Sequence, residues 1–206
     1  MADKEGGMLP SGSAGRPGLS EDTPRMRVIE SGLGGVLVFE PEVHGDDRGF
    51  LFESYREDEF RQAAGQSRQF VQDNHSRSAR HVLRGLHYQV RQPQGKLFRV
   101  VLGEVFDVVV DLRRRSPTFG KWMATTLSAE NKRVLWIPEG FAHGFLVTSD
   151  VAEAVYKATD YYAPQHERSL LWNDPALAIA WPLTAPPALS AKDAAAKRLA
   201  DCDVFD

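Results

Sequence analysis

The chain has a single cysteine, Cys202, among its 206 residues. It therefore holds no internal disulfide framework and suits a reducing cytoplasm. No apolar run approaches the roughly 18 residues that span a bilayer, and the N-terminus lacks the apolar stretch of a signal peptide. Excess positive charge is missing too: 25 Lys and Arg stand against 28 Asp and Glu, for a formal net charge of −3. That balance gives no reason to expect nucleic-acid binding through a broad basic surface. There is no internal repeat beyond a rhythm of short strands. A soluble intracellular protein of one domain is expected, with 42% hydrophobic residues for its core.

What is present reads as β. Residues 1–25 are rich in Gly, Ser, Pro and charge without periodicity, a disordered extension for which Met26 would be an alternative start. Residues 26–206 then form the single domain. Apolar run 35–39 closes at Pro41, turn cluster 45–49 follows, and 50–55 reads as a strand. Residues 57–64 are the one early helix, with Phe60, Ala63 and Ala64 on one face and Gly65 as its stop. Strands are expected over 69–74, 82–89, 96–102, 104–112, 121–127, 133–137, 143–148 and 151–159, with Gly103-Glu104 as a tight hairpin between two of them. This short, even spacing marks a β-sandwich or barrel. Phe106, Val108 and Val110 alternate with Asp107, Val109 and Asp111, giving one apolar and one partly polar face. After a Pro-rich link at 184–187, Ser190 opens a C-terminal helix from 191 to about 200.

The chemistry concentrates in Val82-Leu-Arg84-Gly-Leu-His87-Tyr-Gln89 and Trp136-Ile-Pro-Glu-Gly-Phe-Ala-His143-Gly. Arg84 and His87 are an odd number of residues apart, so a regular strand would point them to opposite faces. Gly85 is where the strand can bulge and bring both to one cavity. A lone His in an apolar strand is commonly structural, but Arg84 and Lys96 nearby change that balance. Burying such a basic group without an anion is costly, so an anionic ligand is expected. A metal site is the first rival. Metal-holding barrels of the cupin type place a His pair and a carboxylate on one strand, yet the partner position here is Gln89, an amide and a poor transition-metal ligand.

Other candidates carry two readings each. Asp193 lies three residues after Ser190, a capping-box-like arrangement; alternatively its carboxylate orients His87 as a base requires. Tyr156 is either a strand aromatic or a proton donor opposite that base. Tyr161 and Tyr162 flank a turn, and either ring could stack on a planar base. Arg48, beside Gly49, is a solvated arginine or a phosphate clamp.

At this point the residues resemble a known family. The runs Gly45-Asp-Asp-Arg48-Gly-Phe50, Phe70-Val-Gln-Asp-Asn74-His-Ser76, 82–89, Gly95-Lys96-Leu97, Ser116-Pro-Thr-Phe-Gly120, 136–145 and 156–164 are similar, in order, to dTDP-4-dehydrorhamnose 3,5-epimerases. The similarity covers about 28–193. It implies an all-β, cupin-like jelly-roll barrel that is metal-free, needs no cofactor and is usually a homodimer. The implied substrate is a dTDP-4-keto-6-deoxyhexose, with neither nucleic acid nor membrane as a partner. It also implies His87 as the base, Asp193 as its dyad partner, Tyr156 as the general acid and Lys96 near the C4 oxygen. Arg48, Glu53, Gln72, Asn74, Arg84, His143, Glu167 and Lys192 match nucleotide-sugar contacts, and Tyr162 matches a ring stacked on thymine. The chemistry is consistent with these roles. C3 and C5 both lie α to the C4 ketone, so loss of either proton gives an enolate that a nearby cation stabilises. Inversion needs a second group on the opposite face. Related enzymes invert only one centre, and a metal-dependent or sugar-binding cupin is the reading from another class. A dimer is also expected because open jelly rolls have sheet edges to cover.

Overall fold

The structure is a computed structural model that describes residues 25–29, 33–65 and 67–206. The expected extension over 1–25 therefore lies outside the described residues, except Arg25, whose guanidinium donates to Glu53.

Short β-branched and aromatic runs cannot each bury a face alone, so they pair into sheets and the sheets stack. One sheet has the order β1 (Met26–Ile29), β2 (Leu37–Pro41), β10 (Val134–Ile137), β7 (Lys96–Leu102), β12 (Val151–Ala158), β5 (Gln72–Ala79). The other runs β13 (Glu167–Ser169), β6 (Leu83–Gln89), β11 (Phe141–Val147), β8 (Glu104–Asp111), β9 (Trp122–Ser128). A separate hairpin joins β3 (His44–Asp46) to β4 (Gly49–Leu51). The pairings within both sheets are antiparallel. Phe98, Leu135 and Ala154 of the first sheet meet Val109, Leu127 and Phe145 of the second in one buried cluster. This is the expected jelly roll.

Each outer face has its own cover. Helix α1 (Glu57–Ala64) lays Phe60 edge-on against Trp136, ring centroids 5.0 Å apart, over Phe39, Leu97 and Val134. Gly65 ends α1 in the left-handed region at φ 69°, where a side chain would be strained. On the other side Leu177, Ile179, Trp181 and Phe205 from the C-terminal segment cover Leu86, Tyr88, Val108 and Val110.

Three expectations are corrected. The C-terminal helix is only α2 (Ala191–Ala194). Beyond it Lys197 pairs with Leu170, and the Leu171 N–H donates to the Lys197 carbonyl at 2.7 Å, so sheet-like bonds displace helical ones despite the alanines. Gly103 is no hairpin turn, because β7 and β8 belong to different sheets. It is a corner at φ 72° packed so tightly that a Cβ would stand 1.9 Å from the Val151 carbonyl oxygen. Residues 50–55 supply only the end of the short β4, and the 45–49 cluster contributes to β3 as well as the turn. The partly polar face of β8 is buried: Asp107 and Asp111 lie on the side that faces the barrel interior.

Strand β6 carries the irregularity that matters for the site. His143 faces His87 while Phe145 faces Arg84, so the register slips by one residue between them. Gly85 and Gly144 allow it: a Cβ on Gly85 would lie 2.5 Å from the Gly144 Cα, and one on Gly144 2.6 Å from the Arg84 carbonyl oxygen. The slip is a bulge, past which Arg84 reaches Ser78 on β5 of the other sheet.

Candidate active site

The interior end of the barrel is polar where the rest is apolar. His87 projects inward from β6, and its Nε2 lies 2.5 Å from Asp193 Oδ1. Asp193 is buried, whereas the His87 side chain keeps 24% of its surface exposed. The carboxylate is delivered by α2, whose N-cap Ser190 accepts a hydrogen bond from the Asp193 backbone N–H at 3.1 Å. The cap and the contact with His87 are compatible, because the cap uses the Asp193 main chain and His87 its side chain. Burial alone would raise the Asp193 carboxyl; the His87 hydrogen bond and charge outweigh it and hold the group below the usual carboxylate range. With Nε2 engaged, Nδ1 is the imidazole nitrogen left to take a proton.

A second histidine–carboxylate pair stands beside the first. His143, the cross-strand neighbour of His87, has Nε2 within 2.9 and 3.0 Å of the two Asp107 oxygens. Burial pushes the Asp107 carboxyl up against the opposing pull of His143 and Lys96. Sequence reasoning misses Asp107. Its signal is the polar alternation in β8, which marks a core or cavity rim without saying which aspartate meets a histidine.

Lys96 opens β7 inside the barrel. Burial lowers its ammonium to about 8, with Glu167 and Asp107 holding it up and Lys192 adding to the depression. Tyr156 on β12 stacks on Phe98 with centroids 5.8 Å apart, and Phe98 in turn meets the His143 ring edge-on at 5.0 Å. Burial raises the Tyr156 phenol, Arg84 opposes and Glu167 reinforces the rise, so the hydroxyl keeps its proton at neutral pH. Glu167, on β13, binds Lys192 Nζ at 2.8 Å and accepts from the Tyr162 hydroxyl at 2.9 Å. These bonds outweigh its burial and keep it ionised.

Other candidates divide. Arg84 donates through Nε to Ser78 Oγ at 2.9 Å and reaches Tyr156 electrostatically, so it belongs to this cavity. Gln72 and Asn74 share the inner face of β5; Gln72 Nε2 donates to Asn74 Oδ1 at 2.9 Å, and Asn74 Nδ2 is buried without a protein partner. Arg48 and Glu53 are elsewhere. Arg48 sits on the β3–β4 turn with 90% of its side chain exposed, paired with Asp46, and Glu53 pairs with Arg25 and Arg56. Neither touches the His87 group within one chain, because the hairpin lies on the outer side, where Arg99 stands over Phe52.

An imidazole held by a carboxylate, a buried lysine and a protonated phenol, all within electrostatic reach of Glu167, are groups equipped for acid–base chemistry. The family model for dTDP-4-dehydrorhamnose 3,5-epimerase matches residues 30–201. The dTDP-4-dehydrorhamnose 3,5-epimerase of Pseudomonas aeruginosa is 62% identical over 180 residues, covering 87% of this chain and 99% of that protein. Among solved structures, the 3,5-epimerase of Legionella pneumophila in complex with dTDP-4-keto-L-rhamnose superposes with a TM-score of 0.84 at 53% identity, covering 86% and 95% of the two chains. ChmJ, a 3'-monoepimerase from Streptomyces bikiniensis in complex with dTDP-quinovose, follows at a TM-score of 0.77 and 40% identity, covering 81% and 84%. The chain belongs to the dTDP-4-dehydrorhamnose 3,5-epimerase family and is a carbohydrate epimerase.

Asp193→Asn leaves the Ser190 cap intact, so kcat should fall about 10²- to 10⁴-fold while the unfolding midpoint moves little. Ser190→Ala should do the reverse, costing about 1 kcal/mol of stability in urea unfolding with a smaller effect on turnover. For Lys96, protonation is complete well below its value of about 8. Rising pH removes the cation, so kcat/KM should fall through that region, and Lys96→Met should flatten this alkaline limb.

Proposed function

We propose that the enzyme inverts both C3 and C5 of dTDP-4-dehydro-6-deoxy-D-glucose, giving dTDP-4-dehydro-L-rhamnose. The observation that carries this reading is the His87–Asp193 pair, with His87, Lys96 and Tyr156 all within electrostatic reach of Glu167. His87 takes the proton from the carbon next to the C4 ketone, and the bond electrons move to the C4 oxygen as the enolate forms. Asp193 stabilises the resulting imidazolium and holds its ring orientation. Lys96, in a water-poor interior, stabilises the enolate oxygen. Tyr156 returns a proton from the opposite face, which inverts the centre; His87 then loses its proton to solvent and the Tyr156 phenolate regains one, and the same cycle at the second carbon completes the reaction. Arg84 and Lys192 face the diphosphate, Tyr162 stacks on the thymine, and His143, Glu167, Gln72 and Asn74 orient the sugar and nucleotide.

A second reading is inversion at one centre only, favoured by the 40% identity to a 3'-monoepimerase. Incubation with dTDP-4-dehydro-6-deoxy-D-glucose, followed by NMR of the product, separates the two. Inversion at both C3 and C5 is the expected outcome; a product inverted at one carbon assigns the single-centre reaction.

The working form is a cytoplasmic homodimer. Its support is the β3–β4 hairpin, where Phe50 and Leu51 are exposed at 64% and 74%. Apolar exposure of this kind marks an interface. A second copy placed against it would also bring Arg48 and Glu53 to a site they do not reach in their own chain. Leu51→Asp should shift the protein to monomer in gel filtration and lower kcat/KM roughly 10²-fold.

A further inference from the structure

Gln89 stands where a metal-holding cupin would carry a ligand, and its amide is used for something else. The side chain is buried on the inner face of β6. Its Oε1 accepts from the Ala163 N–H at 2.8 Å, and its Nε2 donates to the carbonyls of Gln92 at 2.7 Å and Tyr161 at 3.3 Å. Between these two anchor points, the Tyr162 N–H donates to Gln72 Oε1 at 2.9 Å. The main chain of 161–163 is thus held by side chains from two strands of opposite sheets. At the far end of the Tyr162 side chain the hydroxyl is bonded to Glu167, while the residue as a whole remains 52% exposed. The ring is fixed at both ends with its surface open at the rim of the cavity.

We propose that Gln89 is a positioning residue for nucleotide recognition, setting the 161–163 segment so that the Tyr162 ring is preformed to stack on the base. The inference rests on the reading above that a dTDP-sugar enters at this rim with its base against Tyr162. Stacking on a base contributes in full only if the ring is already placed, since ordering a free loop at binding would offset it. The position requires an acceptor and a donor on one side chain. A carboxylate would face two carbonyl oxygens, and a thioether of the same size would bond to none of the three groups.

The test is a double-mutant cycle read by calorimetric titration with dTDP alone, using Gln89→Met, Tyr162→Ala and the double variant of the full chain. Gln89→Met should weaken dTDP binding about tenfold and raise the KM of the dTDP-sugar by a similar factor, with kcat changed less than about twofold. In the Tyr162→Ala background the same change should cost no further affinity, because the ring through which Gln89 acts is gone. Equal losses in both backgrounds, or no loss in either, would overturn the positioning role. Tyr162→Ala binding dTDP as tightly as the unaltered enzyme would instead defeat the reading of Tyr162 on which it rests. If Gln89→Met does not fold, Gln89→Glu runs the same cycle: it keeps the acceptor and loses the donor.

Discussion

Buried charge inside one end of an otherwise apolar barrel is the constraint on which the rest of the structure depends. Lys96, His87 and His143 share that end with Asp107, Asp193 and Glu167. Each group would be costly to bury alone, and each is placed against a group of opposite sign or a hydrogen-bonding partner. The opposing groups come from both sheets and from the short α2, so the site exists only once the sandwich has closed. A solvated patch of the same residues would hold neither the lowered lysine nor the raised tyrosine. Chemistry and fold are in this sense one arrangement.

The path of the chain follows from that need. The bulge at Gly85 lets β6 present Arg84 and His87 together, and the close approach of Gly144 leaves room for nothing larger than hydrogen there. The C-terminal segment leaves the helical path after four residues and Lys197 pairs beside Leu170, with Asp193 against His87 Nε2. The glutamines of β5 and β6 then hold the rim. Gln89 is the clearest case of a residue whose identity is set by loop geometry where a metal barrel would set it by coordination.

Much of this is legible in the order of residues along the chain. Gly, Asp and Asn between short β-branched runs locate most strands within a residue or two, and Gly65 marks the end of α1 because only a left-handed residue stops it there. The inward set on β6 is readable from polar residues in an apolar strand. What stays hidden depends on non-local contacts. The polar alternation of β8 points to a cavity rim but does not reveal that Asp107 pairs with His143, a residue 36 positions later. Alanine-rich 191–200 has every local reason to be helical, and only pairing with Leu170, more than 20 residues earlier, overrules it. Arg48 and Glu53 match by resemblance, yet no pattern along one chain reveals that a single copy keeps them away from His87. Asp193 is the opposite case, where a local cap and a distant partner use different atoms of one residue.

The central claim is that His87, held by Asp193, removes the protons α to the C4 ketone. Incubating the enzyme with dTDP-4-dehydro-6-deoxy-D-glucose in deuterium oxide measures this directly, because each abstraction and return replaces a carbon-bound hydrogen. Deuterium should enter at both C3 and C5 with the unaltered enzyme and at neither with His87→Asn. A His87→Asn enzyme that still exchanged both positions at the normal rate would contradict the account.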